Sequence, residues 1–577
     1  MIKLKEKIYK GLPASKGISI GRPFIYAAES PVYNKTANGS ISASREINGY
    51  REAVEQSKKE LNKIFNLAKE KLDVSNLMIF DAQLQFLNDE VLHKKIISRI
   101  ENEKLPAYSI FNNEIEDMEN NLLASNDEYI RERVNDIEDI KNRVLRNLAK
   151  GKLISKIDEN SIVVAHNLTP ADTILFSNRN LLGFATDSGG INSHAAIIAR
   201  SINIPAVVGM KDISANIKPE DFLIIDGYKG QVIKNPSKDT VEKYKLQIKK
   251  NSRFEKKLLE IEKLPTETKD GKSVTLSVNI EFNNEVDYVA AHAGCGVGLY
   301  RTEHMFLEAG DYPSEEEQYN QYKMLSDRIM PHWVTIRTFD IGGDKILPGA
   351  ERESNPALGW RGIRISLDME TEFLTQLRAI LRASKNGNLR IMFPMISGLD
   401  EVLKIKELAA KAKAQLRKQK IRFDENIKTG IMIEVPSAVF IADSLAREVD
   451  FFSFGTNDLV QYLIAADRDS NMVSNLYRKF HPAVIKAIKQ TIDSAKKNHI
   501  HISICGEMAG DPKATALLLG LGIDELSVET NSFLSIKKLI RSLKYSDAKK
   551  IAEKVLTMDT EEKINKYLEK AFNTMVK

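Results

Sequence analysis

The chain has 577 residues, a length that predicts about three or four domains and excludes a single ordinary hydrophobic core. Hydrophobic residues make up 42% of the chain and charged residues 28%, which is typical of globular proteins. The net charge is only +5 and basic residues are interleaved with acidic ones, so the composition argues against nucleic-acid binding. Two cysteines exclude a disulfide framework and a thiolate zinc site, and no stretch approaches the roughly 18 apolar residues of a membrane span. We therefore expect a soluble, cytoplasmic protein without membrane insertion.

The first part of the chain predicts a few strands followed by a helical bundle. Residues 10–26 place glycines between short β-branched segments, which indicates one or two strands with tight turns. Residues 36–149 are polar and carry apolar residues at helical spacing, among them Leu61, Ile64 and Ala68. This pattern indicates an amphipathic bundle whose role is either structural packing or the docking of a partner. Periodicity favours neither role.

Strand-like apolar segments return after residue 160. We infer an α/β domain formed by residues 1–35 and 150–234, which the helical bundle of residues 36–149 interrupts. Residues 235–264 then predict a charged helix that links this domain to the rest of the chain.

The remaining residues, 265–577, alternate strand-like and helical segments and predict a (β/α)8 barrel, so that the fold class of the whole chain is multidomain α/β. In such barrels the chemistry gathers where the strands end and the loops to the following helices begin. The candidate strands cover residues 274–280, 296–301, 334–340, 389–395, 430–435, 451–457, 500–506 and 525–528.

A glycine-rich turn followed by a predicted helix start singles out His194. Gly189 and Gly190 follow a strand-like run, and Asn192 and Ser193 offer N-cap chemistry. His194 then falls in the first helical turn, where free backbone N–H groups and the helix dipole favour an anion. An imidazole in this position could accept a phosphoryl group. An isolated Ser-His pair more often only helps to cap a helix.

Charged residues stand at the ends of the candidate barrel strands. Arg301, Arg337 and Arg468 would converge at one mouth, and three guanidinium groups suit a small polyanionic ligand. Glu434 and Asp458 supply the hard oxygen ligands that Mg²⁺ prefers. Each of these side chains taken alone is more often part of a structural ion pair. Their common position at the strand ends favours a ligand site.

Two further features at the predicted mouth are weaker. Residues 342–345 form a glycine-rich turn that ends in Lys345, a side chain suited to a phosphate. Cys505 follows a predicted strand, where a free cysteine is usually a small buried hydrophobe. Beside a metal and several arginines, the same thiol could instead donate or accept a proton.

Several segments together resemble one known family, Enzyme I, which is the phosphoenolpyruvate–protein phosphotransferase of bacterial sugar phosphotransferase systems. The resemblance runs through essentially the whole chain in order and rests on residues 189–200, 297–303, 337–345, 355–361, 392–395, 454–459 and 505–510. Residues 86–90 and 129–133 are similar to parts of the helical subdomain that docks the carrier protein HPr. The resemblance implies a swivelling phosphohistidine domain with that helical insertion, followed by a TIM barrel that binds phosphoenolpyruvate.

The resemblance also implies the role of each site residue. His194 would attack phosphoenolpyruvate through Nε2 and pass the phosphoryl group to HPr, with Thr169 holding the other ring nitrogen. Cys505 would protonate the enolate carbon as pyruvate forms, and Glu434 and Asp458 would hold Mg²⁺. A homodimer through the barrel domain is implied in the same way. The phosphate and carboxylate of the substrate would be bound by Arg301, Arg337, Lys345, Arg361, Asn457 and Arg468.

The chain departs from the family pattern at two positions near His194. Asn192 stands where the family usually has Thr, and Asn167 stands where it usually has Asp. Asn192 can still cap a helix, so we expect phosphorylation to survive. A carboxylate at position 167 would be a like-charge neighbour of the phosphohistidine or would restrain the loop. Its absence bears on the transfer to HPr.

Three rival interpretations fit the sequence less well. A relative of pyruvate phosphate dikinase needs a nucleotide-binding domain, for which the helical insertion leaves no room before His194. A nitrogen-regulatory Enzyme I needs a sensory domain ahead of the strand-like start at Lys10. A non-catalytic sensor of phosphoenolpyruvate predicts the loss of site residues, yet His194, Glu434 and Cys505 are all present. The sequence does not specify which sugars are imported.

Overall fold

The computed structural model divides into two compact units, Met1–Ser252 and Arg253–Lys577. The residues that the structure describes are 6–26, 42–69, 80, 83–123, 128–149, 160–177, 179, 181–190, 193–202, 204–281, 285–286, 289–290, 295–309, 311–342, 353–468, 472–473 and 476–576. None of the helices in these ranges has the length and apolar character needed to cross a membrane.

A mixed eight-stranded sheet forms the centre of the first unit, with strand order β1-β8-β7-β3-β4-β5-β6-β2. β3 pairs in parallel with β4 and antiparallel with β7, so the chain leaves the sheet after β3 and returns beside it. The strands are β1 (Lys7–Lys10), β2 (Leu12–Ser15), β3 (Ile18–Tyr26), β4 (Ser161–Ala165), β5 (Gly183–Thr186), β6 (Ala206–Val208), β7 (Leu223–Asp226) and β8 (Gln231–Lys234).

The segment between β3 and β4 is helical, as the apolar spacing predicts. Leu61, Ile64 and Ala68 are all buried in one core, which also receives Ile174 and Ile198 from the helices that follow β4 and β5. The amphipathic bundle is therefore confirmed, and it packs on the α/β part of the same unit. Its described helices are α1 (Ala43–Lys69), α2 (Glu90–Glu103), α3 (Ala107–Leu123) and α4 (Glu128–Leu148).

The helix that begins at His194 lies between the sheet and the bundle. Its alanines, Ala195, Ala196 and Ala199, pack in the core beneath the sheet, whereas Ile198 packs in the core of the bundle. Small residues on one side let the helix approach the sheet closely, and the isoleucine fills the opposite side. The helices around the sheet are α5 (Pro170–Ser177), α6 (His194–Ser201) and α7 (Ile213–Asn216), and α8 (Lys238–Glu260) follows β8.

The second unit is built on a closed barrel of eight parallel strands, which confirms the predicted (β/α)8 architecture. Most of its strands end one to three residues before the predicted ends, because the residues that follow belong to the loops after the strands. The strands are β9 (Thr275–Ile280), β10 (Val297–Tyr300), β11 (Val334–Arg337), β12 (Leu389–Phe393), β13 (Lys428–Ile433), β14 (Phe451–Phe454), β15 (His501–Ile504) and β16 (Glu525–Glu529).

Helices surround the barrel and bury one continuous apolar core against its outer face. In the described part of the unit they are α9 (Glu303–Ala309), α10 (Glu315–Ile329), α11 (Ile363–Asp368), α12 (Glu370–Ala383), α13 (Leu399–Lys418), α14 (Pro436–Phe440), α15 (Ala442–Leu445), α16 (Thr456–Ile464), α17 (Pro482–Lys497), α18 (Pro512–Leu521), α19 (Thr530–Ser542), α20 (Tyr545–Leu556) and α21 (Glu561–Val576). Short 3₁₀ turns cover Pro356–Leu358 and Ser384–Asn386.

Candidate active site

His194 is the first residue of α6, as the glycine-rich turn before it predicts. Ser193 is the N-cap, with extended backbone angles, and its hydroxyl accepts a hydrogen bond from Ala196 N at 3.4 Å. Gly189 has a φ of 99°, a conformation that favours glycine and lets the chain turn into the helix. His194 therefore stands where the helix dipole and free N–H groups favour an anion. Asn192 lies outside the described residues.

Thr169 caps the neighbouring helix α5 in a reciprocal arrangement. Its Oγ1 accepts a hydrogen bond from Asp172 N at 3.1 Å, and its own N–H donates to Asp172 Oδ2 at 3.2 Å. Tyr26 Oη donates to Asp172 Oδ1 at 3.0 Å, which ties the cap to strand β3. Burial raises the pKa of Asp172, and the nearby Asp139 carboxylate adds to the shift. The loop that carries Thr169 is thus held by a partly buried hydrogen-bond network.

One end of the barrel carries a chain of alternating carboxylates and guanidinium groups. Arg337, the last residue of β11, donates from Nη2 to Glu303 Oε1 at 3.0 Å, and its Nη1 lies 3.2 Å from Asp340 Oδ2. Asp340 N also donates to Glu303 Oε1 at 3.0 Å. Burial alone would lower the pKa of Arg337, but Glu303 and Asp340 outweigh it and raise that pKa. The guanidinium is therefore held charged in a buried place.

Arg361 continues this row of alternating charges and connects it to Asp458 on α16, the helix after β14. Its Nε and Nη2 donate to the two oxygens of Asp340, each at 3.0 Å. Its Nη1 and Nη2 reach Asp458 Oδ1 at 3.0 Å and Oδ2 at 3.3 Å, and Tyr462 Oη accepts from Nη1 at 3.3 Å. Such forked pairing fixes a guanidinium in one plane and orientation. Arg361, Asp340 and Asp458 therefore form one rigid charged unit.

Glu434 follows β13 and lies beside this unit. Its side chain is fully buried, and Met395 N donates to its Oε1 at 2.6 Å. Burial raises the pKa of Glu434 to about 8, and the carboxylates of Asp458 and Asp340 contribute to the rise. Among the described residues, no hydrogen-bond donor reaches Glu434 Oε2.

The donor set around Glu434 fits a magnesium ion. A buried carboxylate oxygen without a donor is costly unless a cation or a donor meets it, and Mg²⁺ commonly uses one or two carboxylates together with water and substrate oxygens. Asp458 is the nearby carboxylate that could provide the second ligand, although Arg361 contacts both of its oxygens. In the described ranges, no group of three or more His, Cys, Asp or Glu residues is arranged to hold a metal.

Cys505 comes directly after β15 and is 3% exposed. Its thiol donates to Phe454 O at 3.3 Å, and Ser453 Oγ donates to its sulfur at 3.4 Å. Burial raises the pKa of the Cys505 thiol to about 11, while the Ser453 hydrogen bond opposes the rise. The thiol is therefore protonated at neutral pH and can serve as a proton donor.

The other predicted substrate ligands make separate contacts in different parts of the second unit. Arg301 Nη1 pairs with Glu281 Oε2 at 3.0 Å in a partly exposed position. Asn457 Oδ1 accepts a hydrogen bond from Glu507 N at 3.0 Å, which joins the start of α16 to the loop after β15. Arg468 N donates to Gln461 Oε1 at 3.3 Å. Lys345 lies outside the described residues, so its predicted role stays a prediction.

Sequence reasoning missed two residues of this end of the barrel. Tyr462 lies four residues after Asp458 on α16, so helical spacing could have placed both side chains on one face. Met395 has a φ of 57°, which non-glycine residues rarely adopt, and this conformation aims its N–H at Glu434. No sequence pattern indicates that conformation.

Comparison with known proteins supports one assignment for the whole chain. Three family models match: the N-terminal region of PEP-utilising enzymes over residues 10–133, their mobile domain over 157–230 and their PEP-binding domain over 255–545. A phosphoenolpyruvate-protein phosphotransferase of Listeria innocua is 41% identical over 572 residues, covering 98% of this chain and 99% of that protein. The protein of the same name from Haemophilus influenzae is 39% identical, covering 97% and 98%.

These matches extend along nearly the full length of both partners, and the barrel has the parallel closed form expected for the PEP-binding domain. The chain belongs to the phosphoenolpyruvate-protein phosphotransferases, a family of PEP-utilising enzymes.

Proposed function

We propose that this enzyme transfers the phosphoryl group of phosphoenolpyruvate to its own His194 and then to a histidine of the carrier protein HPr, releasing pyruvate as the first step of sugar uptake. The observation that carries the proposal is the chain of buried charges from Glu303 through Arg337 and Arg361 to Asp458, with the open oxygen of Glu434 beside it. Fixed arginines beside a carboxylate of this kind suit a phosphorylated carboxylic acid.

The barrel end supplies the substrate site in this proposal. Asp340 orients both Arg337 and Arg361. The five N–H groups of Arg361 already face Asp340, Asp458 and Tyr462, so binding of phosphate or carboxylate oxygens would exchange some of these hydrogen bonds. We assign Arg301, Asn457 and Arg468 to the same anion site as further ligands of the phosphate and carboxylate. Lys345, which lies outside the described residues, keeps its predicted role as a phosphate ligand. Glu434 and Asp458 would hold Mg²⁺, which neutralises charge on the phosphoryl and enolate oxygens when bound.

The proposed reaction has two steps, phosphoryl transfer to His194 and protonation of the enolate. The Nε2 lone pair of His194 forms a bond to phosphorus while the bond between phosphorus and the enol oxygen breaks and leaves an enolate. Thr169 orients the imidazole through the other ring nitrogen. The Cys505 thiol then gives its proton to the methylene carbon, pyruvate leaves as the ketone, and the thiolate regains a proton from solvent before the next turnover. Phosphoryl transfer of this kind needs positioning and charge neutralisation more than covalent chemistry.

The partner assignments rest on the family. We place the docking site for HPr on the helical bundle of α1 to α4, where Asp89 caps α2 by accepting from Val91 N and Leu92 N. Of the segments that resemble the docking subdomain, residues 129–133 lie in α4, and their side chains are outside the described residues. We also propose that the enzyme is a cytoplasmic homodimer that associates through the barrel.

Labelling with phosphoenolpyruvate tests the proposal directly. Incubation with ³²P-phosphoenolpyruvate and Mg²⁺ should label the chain at His194 alone, and the label should be labile in acid and stable in alkali. Addition of HPr should move the label to HPr. His194→Ala should abolish labelling while the circular dichroism spectrum stays unchanged. Full labelling of the folded His194→Ala variant would refute the assignment.

A further inference from the structure

The backbone carbonyl of Cys505 accepts a hydrogen bond from a side chain that lies two strands away in the barrel. The ladder between β15 and β16 pairs Ser503 with Glu525 and Ile504 with Leu526, and Cys505 follows its last pair. Asn279, on β9, donates from Nδ2 to Cys505 O at 2.8 Å. Since β16 lies between β9 and β15, this amide spans a whole strand to reach the carbonyl. It replaces the ladder partner that the carbonyl lacks beyond the strand end.

Asn279 is itself fixed from the intervening strand. Ser527, on β16, is fully buried, and its Oγ donates to Asn279 Oδ1 at 2.6 Å. A hydroxyl that donates to Oδ1 leaves the NH₂ group directed at the carbonyl and prevents the amide from flipping. Ser527 therefore donates to Asn279, and Asn279 in turn donates to the carbonyl of Cys505.

The backbone of Cys505 is restrained on its other sides as well. Its N–H donates to Phe454 O at 3.1 Å. Gly506 packs so closely on α16 that a Cβ at this position would lie 1.9 Å from Thr456 Oγ1. With the N–H and the following residue fixed, the bond from Asn279 removes the remaining freedom of the Cys505 peptide. The direction of the Cα–Cβ bond is then set, and the hydrogen bonds of the thiol with Phe454 O and Ser453 Oγ hold the sulfur in one rotamer.

We propose that Asn279 and Ser527 are positioning residues that aim the Cys505 thiol at one face of the enolate, an inference that rests on the proposed role of Cys505 in proton transfer. Neither side chain donates or accepts the transferred proton. Their effect is geometric: a proton donor displaced by about 1 Å loses on the order of 100-fold in rate, and delivery to a single face of the methylene carbon is lost with it.

The barrel provides a matched control in the same layer. Ser277, on β9, is fully buried like Ser527, and a Cβ on Gly298 would lie 2.4 Å from the Oγ of either serine. Ser277 Oγ donates to Glu525 Oε1 at 2.5 Å rather than to the Asn279 amide. Ser277→Ala and Ser527→Ala thus remove equivalent hydroxyls from one crowded region, and only the second breaks the connection to Cys505.

The test measures which face of the enolate receives the proton, in single turnovers of the full-length chain. Phosphoenolpyruvate stereospecifically deuterated at the methylene carbon is converted in tritiated water, so the product carries a methyl group whose chirality reports the face. The unmodified chain and Ser277→Ala should give one configuration. Asn279→Asp, which keeps the shape but loses the donor, should give a racemic methyl group, with pyruvate formation about 100-fold slower. Ser527→Ala should give partial racemisation.

A loss of stability alone would reduce the amount of active protein without changing the configuration of the methyl group. A single configuration from both Asn279→Asp and Ser527→Ala, at the unmodified rate, would overturn the inference. If Asn279→Asp does not fold, Ser527→Ala decides by the same measurement. Failure of the proposed function is distinguishable, because the unmodified chain would then not label at His194 from phosphoenolpyruvate.

Discussion

At the scale of single residues, the Cys505 thiol is kept neutral by its surroundings. Burial raises its pKa to about 11, so the proton that the enolate needs is present throughout the neutral range. Pyruvate formation should therefore show no loss attributable to Cys505 between pH 7 and about pH 9, since only a thiol with a lower pKa would ionise there.

Replacing Cys505 should separate proton transfer from phosphoryl transfer. Cys505→Ala should keep substrate binding but lose pyruvate formation by about 100-fold or more, the usual contribution of a positioned general acid. Single-turnover labelling of His194 should persist in part, because cleavage of the P–O bond precedes protonation. Steady-state release of pyruvate by the folded variant is the measurement. Turnover near that of the unmodified chain would mean that the thiol only packs the barrel interior.

At Arg361, the proposed site depends on the geometry of the guanidinium group as well as on its positive charge. The guanidinium makes four hydrogen bonds to the oxygens of Asp340 and Asp458, whereas an ammonium group has only three N–H donors. Arg361→Lys should raise the KM for phosphoenolpyruvate by about 10- to 100-fold, the value of one lost charge-assisted hydrogen bond.

The control for Arg361→Lys is Arg382→Lys. Arg382 also uses a fork, to Glu315 at 2.8 Å and Glu316 at 2.6 Å, but it joins α12 to α10 on the outside of the barrel. Its replacement should leave the KM unchanged in the same initial-rate assay. Equal KM values for the Arg361→Lys variant and the unmodified chain would remove Arg361 from the substrate site.

At the scale of elements, the alternation of strands and helices was readable from the sequence because each barrel strand is a short apolar run. The segment 334–340 shows the limit of that reading: β11 ends at Arg337, and Asp340 lies in the following loop between two arginines. The positions of the charged residues after the predicted strands indicated that they lie at one end of the barrel. It could not show which carboxylate pairs with which guanidinium, since partners such as Arg361 and Asp458 are far apart in the chain.

The contact between Asn279 and Cys505 illustrates the same limit. Asn279 was contained in a predicted strand, but its partner lies on a strand that only barrel closure brings near. Strand prediction is local, whereas this hydrogen bond depends on the order of strands around the closed barrel.

The junction between β15 and α16 is an element-scale contact that substitution can test. Gly506→Ala would place a Cβ 1.9 Å from Thr456 Oγ1 and 2.8 Å from Thr456 N, so the start of α16 must move. We expect the free energy of unfolding to fall by about 1–3 kcal/mol, as overpacking usually costs. Phosphoenolpyruvate binding should weaken as well, because Asn457 and Asp458 lie in the first turn of that helix.

Gly510→Ala is the matched control in the same loop. The nearest atom to a Cβ at Gly510 is Ser532 Oγ at 3.6 Å, an ordinary van der Waals contact. Urea unfolding and titration calorimetry should therefore distinguish the two alanine variants. Similar affinities for phosphoenolpyruvate in both would show that the position of α16 does not matter for the site.

At the scale of the whole molecule, the proposed phosphoryl acceptor and the proposed substrate site belong to different units. His194 lies in Met1–Ser252, whereas the chain of carboxylates and arginines lies in Arg253–Lys577. Each unit has its own sheet and its own apolar cores, and among the described residues the core of the barrel begins at Val274. The apolar core of the second unit is therefore built from its own residues.

Because of this division, the second unit can be tested by itself. The fragment 264–577 should fold and bind phosphoenolpyruvate in the presence of Mg²⁺ with an affinity close to that of the intact chain, because Arg337, Arg361, Glu434 and Asp458 are all retained. It should pass no phosphoryl group to HPr, since the acceptor histidine is missing. Titration calorimetry with and without Mg²⁺ measures the first part, and ³²P transfer measures the second.

Glu434→Gln in the same fragment is the control for that experiment. The amide keeps the shape of the side chain and still accepts the hydrogen bond from Met395 N through its remaining oxygen, but it cannot become the carboxylate that Mg²⁺ would bind. The variant should fold equally well and lose the Mg²⁺-dependent part of the binding heat. If the unmodified fragment showed no Mg²⁺-dependent binding while the intact chain did, part of the substrate site would have to come from residues before 264.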